Sequence, residues 1–386
     1  MEEAESITRL IEAAVREMYG KSQGPIPLHS PYFKGSEWEY VRSCLESGWV
    51  SSAGSYVERL EQEIEHFTGT RNAIATVNGT SALYMALLVS GIEAGDEVLC
   101  PAFSFVGTVT PVIYCGAYPV FMDSDARTMG IDPKKILEFI SDRCVKGKDG
   151  LTYDRETGRK VKACIPVHTY GHPAEMNSLV EVCNEHNVVV IEDAAEALGS
   201  FYENRHCGTF GRLGVLSFNG NKIVTTGGGG MILTDDDALA KRARHLTTTA
   251  KVRHPWKIMH DEVGYNYRMP NLNAALGCAQ MEMLSEFLRK KKEQALEFHR
   301  ALSGKGDLEV VVPVCGGANH WFNLVKLNPK HRNAVLSRLN EKGIQARAGW
   351  TLICDMTPYG KYETYWVEVA KELTASLICL PNGLLD

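Results

Sequence analysis

The sequence lacks three features that would each have indicated a class of protein directly. No stretch approaches the ~18 uninterrupted apolar residues of a membrane-spanning helix, so we expect no membrane partner. Lysine and arginine total 41 against 47 aspartates and glutamates, which gives a net charge of −6. An acidic chain is a poor general binder of phosphate backbones, so no nucleic-acid partner is expected. The amino-terminal segment begins acidic and has no apolar signal region, which predicts a cytoplasmic protein.

Paired cysteines are also absent. The 11 cysteines are spread singly, and no two stand in a CxxC arrangement. Zinc sites in proteins depend on paired ligand spacings. Isolated cysteines in apolar segments are ordinarily buried thiols of a protein in a reducing compartment. We therefore predict reduced thiols and no metal site.

Short apolar runs alternate with amphipathic runs of helical length between Arg71 and Thr248. Strands are predicted in NAIATV, DEVLCP, AYPVFMD, KACIPVH and VVVIED, and helices in TSALYMALLVSG, FVGTVTPVIYCG, DPKKILEFISD and AEMNSLVEVCNEH. This alternation is typical of an α/β fold with a mostly parallel central sheet, which binds ligands beyond the carboxyl ends of its strands. The polar, turn-rich segment VKGKDGLTYDRETGRK predicts an exposed hairpin or loop.

The length of 386 residues suggests two domains. After residue 262 the pattern changes to one long helix, NLNAALGCAQMEMLSEFLRKKKEQALEFHRAL, followed by shorter strand and helix candidates. We predict that residues 1–262 form an N-terminal arm and a large α/β domain. Residues 263–386 are predicted to form a linking helix and a smaller C-terminal α+β domain.

Lys222 is the only charged side chain between Leu213 and Thr234. Its neighbours are apolar, hydroxyl and glycine residues, and desolvation of such a lysine favours the neutral amine that attacks a carbonyl. The glycines Gly227–Gly230 follow it and allow the backbone to pack closely. Taken alone, the segment is equally compatible with a surface lysine in a hairpin.

Two carboxylates, Glu192 and Asp193, end the apolar run of NVVVIED. Side chains alternate between the two faces of a strand, so only one of these acids can face a site at the strand end. Such an acid could hold the protonated ring nitrogen of pyridoxal phosphate. A helix-capping aspartate ahead of AAEAL is the alternative.

A predicted strand leads into Asn78-Gly79-Thr80-Ser81 and then into a helix. The free N–H groups and the positive end of a helix can bind a phosphate. The segment is not a Walker loop, because GxxxxGK is absent. An ordinary helix cap is the alternative that this segment leaves open.

A phosphate cup, an acid at a strand end and an isolated lysine, in that chain order, are what a pyridoxal-phosphate-dependent aminotransferase needs. The chain resembles the DegT-type sugar-nucleotide aminotransferases from about Ile26 to Pro381. The matching segments are NGTSAL, PAFSFVGT, FMDSD, PVHTYGHPAEM, EDAAEALGS, SFNGNK, TTGGGG and GYNYRMPNLNAALG. The resemblance implies the fold-type-I architecture, a transaminase and pyridoxal 5′-phosphate as cofactor.

The resemblance also implies roles for individual residues. Lys222 would bind the cofactor covalently and move protons, Asp193 would pair with the ring nitrogen, and Phe103 would stack on the ring. Glu196 would lie near the ring hydroxyl, where many relatives carry glutamine. The residues implied to bind the phosphate are Gly79, Thr80, Ser81 and Ser217, with Asn266 contributed by the neighbouring subunit of a homodimer.

One branch of the family resembles this chain in GWVSSAGSYVERLE, HLTTTAK, HPW and HDEVGYNYR. It comprises aminotransferases of the bacillosamine and legionaminic acid pathways. That resemblance favours transfer of an amino group from L-glutamate to C4 of UDP-2-acetamido-4-keto-2,4,6-trideoxyglucose. The alternatives are the same chemistry on a GDP- or dTDP-linked 4-keto-6-deoxy sugar, or a dehydratase, since some dehydrating relatives replace the lysine with histidine.

The substrate contacts are candidates only. The diphosphate needs cationic groups, and TTTAKVRHPW supplies Lys251, Arg253 and His254 unless these form a solvated surface cluster. Arg268 or Arg347 could bind a glutamate carboxylate. His168 and His320 could contact substrate, although a structural histidine is an equal alternative for each, and the tryptophans, including Trp256 and Trp321, are interpreted as packing.

Overall fold

An eight-stranded sheet forms the centre of the molecule. The structure is a computed structural model that describes residues 2–20 and 23–384. The strands of all sheets in the described residues are, in chain order, β1 (Asn72–Thr76), β2 (Glu97–Pro101), β3 (Tyr118–Met122), β4 (Cys144–Lys146), β5 (Thr152–Asp154), β6 (Val161–Cys164), β7 (Val189–Asp193), β8 (Phe201–Tyr202), β9 (Arg205–His206), β10 (Leu213–Ser217), β11 (Gly230–Thr234), β12 (Lys251–Val252), β13 (Met259–His260), β14 (Leu308–Val310), β15 (Asn323–Leu327), β16 (Arg347–Ala348), β17 (Thr364–Tyr365) and β18 (Leu377–Leu380).

Helices cover the sheet and connect its strands. In chain order they are α1 (Glu2–Met18), α2 (Glu37–Ser47), α3 (Ser55–Thr68), α4 (Gly79–Val89), α5 (Thr110–Tyr114), α6 (Pro133–Arg143), α7 (Met176–Glu185), α8 (Asp237–Thr247), α9 (Asn271–Leu302), α10 (Pro329–Glu341) and α11 (Glu368–Ser376). None of the described helices is long and apolar enough to cross a membrane.

The strands of the large sheet follow the order β1-β11-β10-β7-β6-β2-β3-β17. Strand β11 pairs antiparallel with both β1 and β10, and the pairs from β10 to β17 are parallel. Strands β1, β2, β7 and β10 therefore all end at the same edge of the sheet. The predicted α/β fold with a mostly parallel sheet is confirmed, and this edge is where such folds bind their ligands.

One predicted helix has different bounds in the structure. FVGTVTPVIYCG was expected to form a single helix, but residues 106–108 form a 3₁₀ turn and α5 begins only at Thr110. Pro111 lies in the first turn of α5, where its missing N–H costs no helical hydrogen bond. The result is a tight turn, rather than a helix, at the carboxyl end of β2.

A smaller four-stranded antiparallel sheet, in the order β14-β15-β18-β16, is built from C-terminal residues. Helix α1 packs against α10 and this sheet, since Ile7, Ile11 and Val15 share a hydrophobic cluster with C-terminal residues such as Leu339 and Ile378. The packing thus groups α1 with the C-terminal elements. The domain division at 262/263 stays a prediction. The expected hairpin is present as β4 paired with β5.

Candidate active site

The predicted phosphate cup lies where three strands meet at the sheet edge. Thr76, Gly230 and Ser217 stand side by side on β1, β11 and β10. The Asn78 side chain caps α4 by accepting a hydrogen bond of 2.8 Å from the Ser81 N–H. A Cβ atom on Gly79 would lie only 3.3 Å from the Ser217 hydroxyl oxygen. The hydroxyl of Ser217 and the start of α4 therefore border one small space.

Gly230 explains why a glycine run follows Lys222. A Cβ atom at Gly230 would lie 2.5 Å from the carbonyl of Asn78 and 2.7 Å from the backbone nitrogen of Gly79. No side chain fits there without moving the start of α4. The glycine thus keeps β11 close enough for the cup to form.

The two acids at the end of β7 have different environments, as strand alternation requires. Glu192 points into a buried network: it accepts from the N–H groups of Gly208 (2.7 Å) and Gly211 (2.6 Å), and its Oε2 lies 2.9 Å from His168 Nε2. Asp193 instead accepts from the hydroxyl of Thr108 at 2.7 Å. The backbone N–H of Ala195 donates to its other oxygen at 3.1 Å. The Glu192 carboxylate therefore binds backbone N–H groups in the interior, and Asp193 is the acid that lies at the edge of the sheet where ligands bind.

Lys222 lies in the connection between β10 and β11 and is less solitary than its sequence suggests. Its Nζ is 3.2 Å from Oε1 of Glu196 and 4.1 Å from the ring centroid of Trp321. The other carboxylate oxygen of Glu196 accepts a hydrogen bond of 2.9 Å from the N–H of Tyr170. Burial raises the pKa of Glu196 above its ordinary value, while the nearby Lys222 opposes that shift. The lysine is thus held between a carboxylate and an aromatic face.

The aromatic residue expected to stack on the cofactor is misassigned. Phe103 is completely buried, with 0% of its surface exposed, and packs against Tyr170 and Trp350. A ring that stacks on a ligand needs a free face, so Phe103 does not fit that role. Phe105 is 60% exposed. A Cβ atom on Gly107 would touch both Phe105 (3.2 Å) and the Thr80 hydroxyl (3.4 Å), which places Phe105 beside the cup.

A second cavity, of about 850 Å³, collects most of the candidate substrate residues. Its lining includes Lys251, Arg253, His254, Asn266 and Arg268. The hairpin of β12 and β13 supplies the first of these cations. Three cationic or imidazole side chains from one short segment therefore face the same space as Asn266. We call this space the cationic cavity.

Arg268 is a structural residue, contrary to its expected role as a carboxylate clamp. Its guanidinium pairs with the buried Glu61, at 2.5 Å from Oε1 and 3.4 Å from Oε2. Glu61 also pairs with Arg244 and accepts from the N–H of Ala75. Both terminal nitrogens of Arg268 therefore already face a buried carboxylate, which disfavours a role as the clamp for a second one. Arg347 has an exposed side chain and forms no ion pair with any residue that the structure describes.

The two candidate histidines, His168 and His320, have different environments in the structure. His168 is a structural residue: besides its contact with Glu192, its Nδ1 accepts from the N–H of Ala174 at 3.1 Å. His320 lies outside the cationic cavity. Burial lowers the pKa of His320 to about 4, so it is neutral at ordinary pH. It therefore offers no charge to a diphosphate.

Several residues around Lys222 and Asp193 were missed or set aside in the sequence. Thr108 and Phe105 lie within PAFSFVGT. The predicted helix gave no indication that the Phe105 side chain is exposed and the Thr108 side chain is buried. Trp321 was interpreted as packing, yet its ring faces Lys222 and its Nε1 donates to the Asn221 carbonyl at 2.7 Å. Away from Lys222 and Asp193, in the β12–β13 hairpin, Trp256 is also predicted to pack, yet it is 80% exposed. No periodicity or spacing marks these side chains as members of a site.

Residues 31–384 match the DegT/DnrJ/EryC1/StrS aminotransferase family. The chain belongs to this family. It is a sugar aminotransferase, and pyridoxal phosphate is its cofactor. The site fits that cofactor, because hydroxyls and a helix start border one space at the sheet edge that also carries an acid, an exposed ring and a lysine.

Among family members, the chain is 40% identical to the GDP-perosamine synthase of Escherichia coli O157:H7, over 92% of this chain and 93% of that protein. It is 35% identical to the GDP-perosamine synthase of Caulobacter vibrioides, with 92% and 93% covered. Its fold matches the aminotransferase TlmJ from Streptoalloteichus hindustanus with a TM-score of 0.84 and 27% identity, covering 93% and 94% of the two chains.

Proposed function

We propose that this sugar aminotransferase moves an amino group from L-glutamate to C4 of a GDP-linked 4-keto-6-deoxyhexose. The observation that carries the transfer chemistry is the position of Lys222, next to Glu196 and at the same sheet edge as Asp193 and the cup. The GDP-linked product named for two curated relatives supports the nucleotide. The keto group at C4 follows from perosamine being a 4-amino-4,6-dideoxyhexose.

Each site residue has a defined task in this proposal. When bound, pyridoxal phosphate supplies the electron sink and carries the amino group between the two substrates. Lys222 Nζ would bind the cofactor and move the proton at the reacting carbon, and Asp193 would face the ring nitrogen. Phe105, rather than Phe103, would cover one face of the ring. The residues that would hold the phosphate are Gly79, Thr80, Ser81 and Ser217.

Glu196 would lie near the ring hydroxyl and orient Lys222. Its carboxylate is fixed on one side by the Tyr170 N–H and on the other by the lysine itself. Both contacts are partly buried, and an ion pair in such a place is strong only if it is well oriented. We therefore assign Glu196 the task of aiming the amine.

The cationic cavity would bind the nucleotide end of the sugar substrate. A diphosphate needs charged donors, and Lys251 and Arg253 supply two of them on one wall. His254 lines the same wall, and its Nδ1 accepts from the N–H of Lys257 at 3.0 Å. The glutamate carboxylate would pair with Arg347 rather than with Arg268, because Arg268 is already paired with Glu61.

Two other substrate assignments are weaker. The expected UDP-linked, N-acetylated sugar has no counterpart among these curated relatives, whose named product carries GDP. A sugar dehydratase is disfavoured because Lys222, and not histidine, stands in the site. The amine of Lys222 supports full transamination.

The direct test is a substrate panel read by mass spectrometry. The enzyme is incubated with L-glutamate and GDP-4-keto-6-deoxymannose, UDP-4-keto-6-deoxy-N-acetylglucosamine or dTDP-4-keto-6-deoxyglucose, and kcat/KM is compared. We expect the GDP-linked sugar to lead by about a hundredfold, near 2.7 kcal/mol. A lead of that size for the UDP-linked sugar would replace the proposed substrate and leave the aminotransferase chemistry intact.

The proposal includes a homodimer with shared active sites. Large apolar side chains on and beside the β12–β13 hairpin are exposed, among them Trp256 at 80% and Val263 at 85%. Exposed apolar groups of this kind mark interaction surfaces. Asn266, which follows the hairpin, would reach the partner's phosphate site. Mixing Lys222→Ala with Asn266→Leu should restore part of the activity in hybrid dimers, and full activity of an isolated monomer would contradict this arrangement.

We also propose a cytoplasmic location. All 11 cysteines are free thiols in the structure. Free thiols are typical of a reducing compartment. Detection of the protein in the soluble cytoplasmic fraction of its own cells would test this.

A further inference from the structure

Two hydroxyl groups form a hydrogen-bonded chain to Asp193, the acid that the proposed function assigns to the ring nitrogen. Thr108 Oγ1 is 2.7 Å from Oδ2 of Asp193, and Ser104 Oγ is 2.8 Å from Thr108 Oγ1. All three side chains are buried. We propose that Ser104 and Thr108 are positioning residues that hold the Asp193 carboxylate in place and aimed at the cofactor ring.

The direction of this chain of hydrogen bonds follows from the donors available. Thr108 Oγ1 donates its single O–H to Oδ2 of Asp193. Thr108 Oγ1 can then only accept in its contact with Ser104, which makes Ser104 the donor. Both hydroxyl dipoles thus point their positive ends towards the carboxylate. Hydrogen bonds that share one direction strengthen each other in a buried environment.

Apart from Thr108, few groups form hydrogen bonds or ion pairs with the Asp193 carboxylate. Its second oxygen accepts one backbone N–H, from Ala195. Within residues 2–20 and 23–384, no lysine, arginine or histidine forms an ion pair with it. The hydroxyl relay therefore stabilises the negative charge without adding a competing cation. A positively charged ring nitrogen would then be the only cationic partner of this carboxylate.

The turn at the end of β2 links this relay to the exposed face of the site. Residues 106–108 form a 3₁₀ turn, which Thr108 closes by donating its N–H to the carbonyl of Phe105 at 3.0 Å. Phe105 projects outward beside Thr80, while Thr108 points inward to Asp193. One short turn thus positions both Phe105, which would cover the cofactor ring, and Thr108, which donates a hydrogen bond to Asp193.

The test compares pyridoxal phosphate with its 1-deaza analogue, in which a C–H replaces the ring nitrogen. Equilibrium binding to the apoenzyme and the pH dependence of the bound chromophore's absorbance are measured for wild type, Thr108→Val, Thr108→Ser and Ser104→Ala. Thr108→Val keeps the shape of the side chain and removes the hydroxyl. Thr108→Ser is the matched control because it keeps the hydroxyl.

We expect Thr108→Val to bind pyridoxal phosphate about tenfold more weakly and to move the absorbance midpoint by about one pH unit, because a hydrogen bond to a charged group is lost. Thr108→Ser should stay within about twofold of wild type, and Ser104→Ala should shift both readouts in the same direction by a smaller amount. With the deaza analogue, Thr108→Val and wild type should bind equally. Should Thr108→Val prove too unstable to purify, a null effect of Ser104→Ala on both readouts overturns the proposal.

Two results would overturn the relay. Either Thr108→Val leaves binding and absorbance unchanged, or it weakens pyridoxal phosphate and the deaza analogue equally, which indicates packing alone. This inference rests on the assignment of Asp193 in the proposed function, so Asp193→Asn is measured alongside. If Asp193→Asn shifts the absorbance midpoint and Thr108→Val does not, only the relay fails. If Asp193→Asn shifts nothing, the assignment of Asp193 fails as well, whereas a wrong sugar nucleotide would leave all of these readouts unchanged.

Discussion

The sheet edge around Asp193 and the hairpin around the cationic cavity are built in opposite ways. At the sheet edge, Glu192, Asp193 and Thr108 are buried, and each has specific hydrogen-bond partners. In the hairpin, β12 and β13 have two residues each, and apolar side chains such as Trp256 are exposed. A rigid edge suits chemistry that is the same for every substrate, and an exposed loop suits a choice among substrates. We therefore expect mutations in the two regions to affect different steps.

The largest expected effect is that of removing the lysine at the sheet edge. Lys222→Ala should abolish transamination, by about 10³-fold or more, because the variant lacks the amine that we propose to bind the cofactor and move protons. The visible absorbance of the bound cofactor, which borohydride normally bleaches, should also disappear. Absorbance spectra and a coupled assay measure both effects.

Lys251→Ala is the matched control, since it removes a lysine from the hairpin instead. It should keep the normal cofactor spectrum. Full transamination by Lys222→Ala would show that the amine lies elsewhere.

The next effect separates the two neighbouring acids. Asp193→Ala should cost several kcal/mol in catalysis, about a hundredfold or more in kcat, because the cofactor ring would lose the carboxylate that we propose as the partner of its nitrogen. Glu192→Gln should instead lower the free energy of unfolding by about 2 kcal/mol, since buried N–H groups of Gly208 and Gly211 lose a charged acceptor. Steady-state kinetics and denaturant melts distinguish the two. An inactive Glu192 variant beside an active Asp193 variant would reverse the assignment.

A moderate effect is expected in the hairpin. Arg253→Ala should raise KM for the sugar nucleotide about tenfold and leave kcat nearly unchanged, because the charge-assisted contact that we propose between Arg253 and the diphosphate would be lost. The effect should shrink at high salt, since exposed charges are screened. Lys305→Ala, which removes an exposed lysine outside the cavity, should change nothing. Equal KM values for Arg253→Ala and Lys305→Ala would show that the cationic cavity does not bind the sugar nucleotide.

The last expected effect concerns stability rather than catalysis, and is a pH response of the buried interior. Lys291 on α9 is fully buried, and burial lowers its pKa from 10.5 to about 7. Between pH 7 and 10 the unfolded chain holds a proton on this lysine that the folded protein lacks, so stability should rise with pH by at most about 1.4 kcal/mol per unit. Lys291→Met should flatten that rise in urea melts at pH 7 and 9. An unchanged difference between the two pH values would show that Lys291 stays charged when folded.

Much of the sheet edge could be predicted from the sequence, because regular strands place their end residues by rule. The alternation along β7 separated Glu192 from Asp193, and the strand-to-helix junction located the cup. The turn after β2 was not predicted, because an apolar run of this length does not show where a 3₁₀ turn ends and a helix begins; in the structure Phe105 is exposed and Thr108 is buried. Side chains brought together from distant segments, such as Trp321 beside Lys222, leave no local pattern.

The pairing of Arg268 with Glu61 shows a further limit. Both residues lie far apart in the chain, and neither segment indicates that the other will supply a counter-charge. A free arginine and a paired arginine look alike in a sequence. Only the folded chain distinguishes Arg347, which is exposed, from Arg268.

The two half-reactions, measured separately by single-turnover absorbance, test the division between edge and hairpin most directly. The first follows the holoenzyme with L-glutamate alone, and the second follows the aminated enzyme with the keto sugar nucleotide. We predict that Asp193→Asn slows both half-reactions, whereas Arg253→Ala leaves the first within about twofold of wild type and weakens only the second. An equal loss in both half-reactions for Arg253→Ala would contradict the account, because the hairpin would then serve the chemistry as well as the choice of substrate.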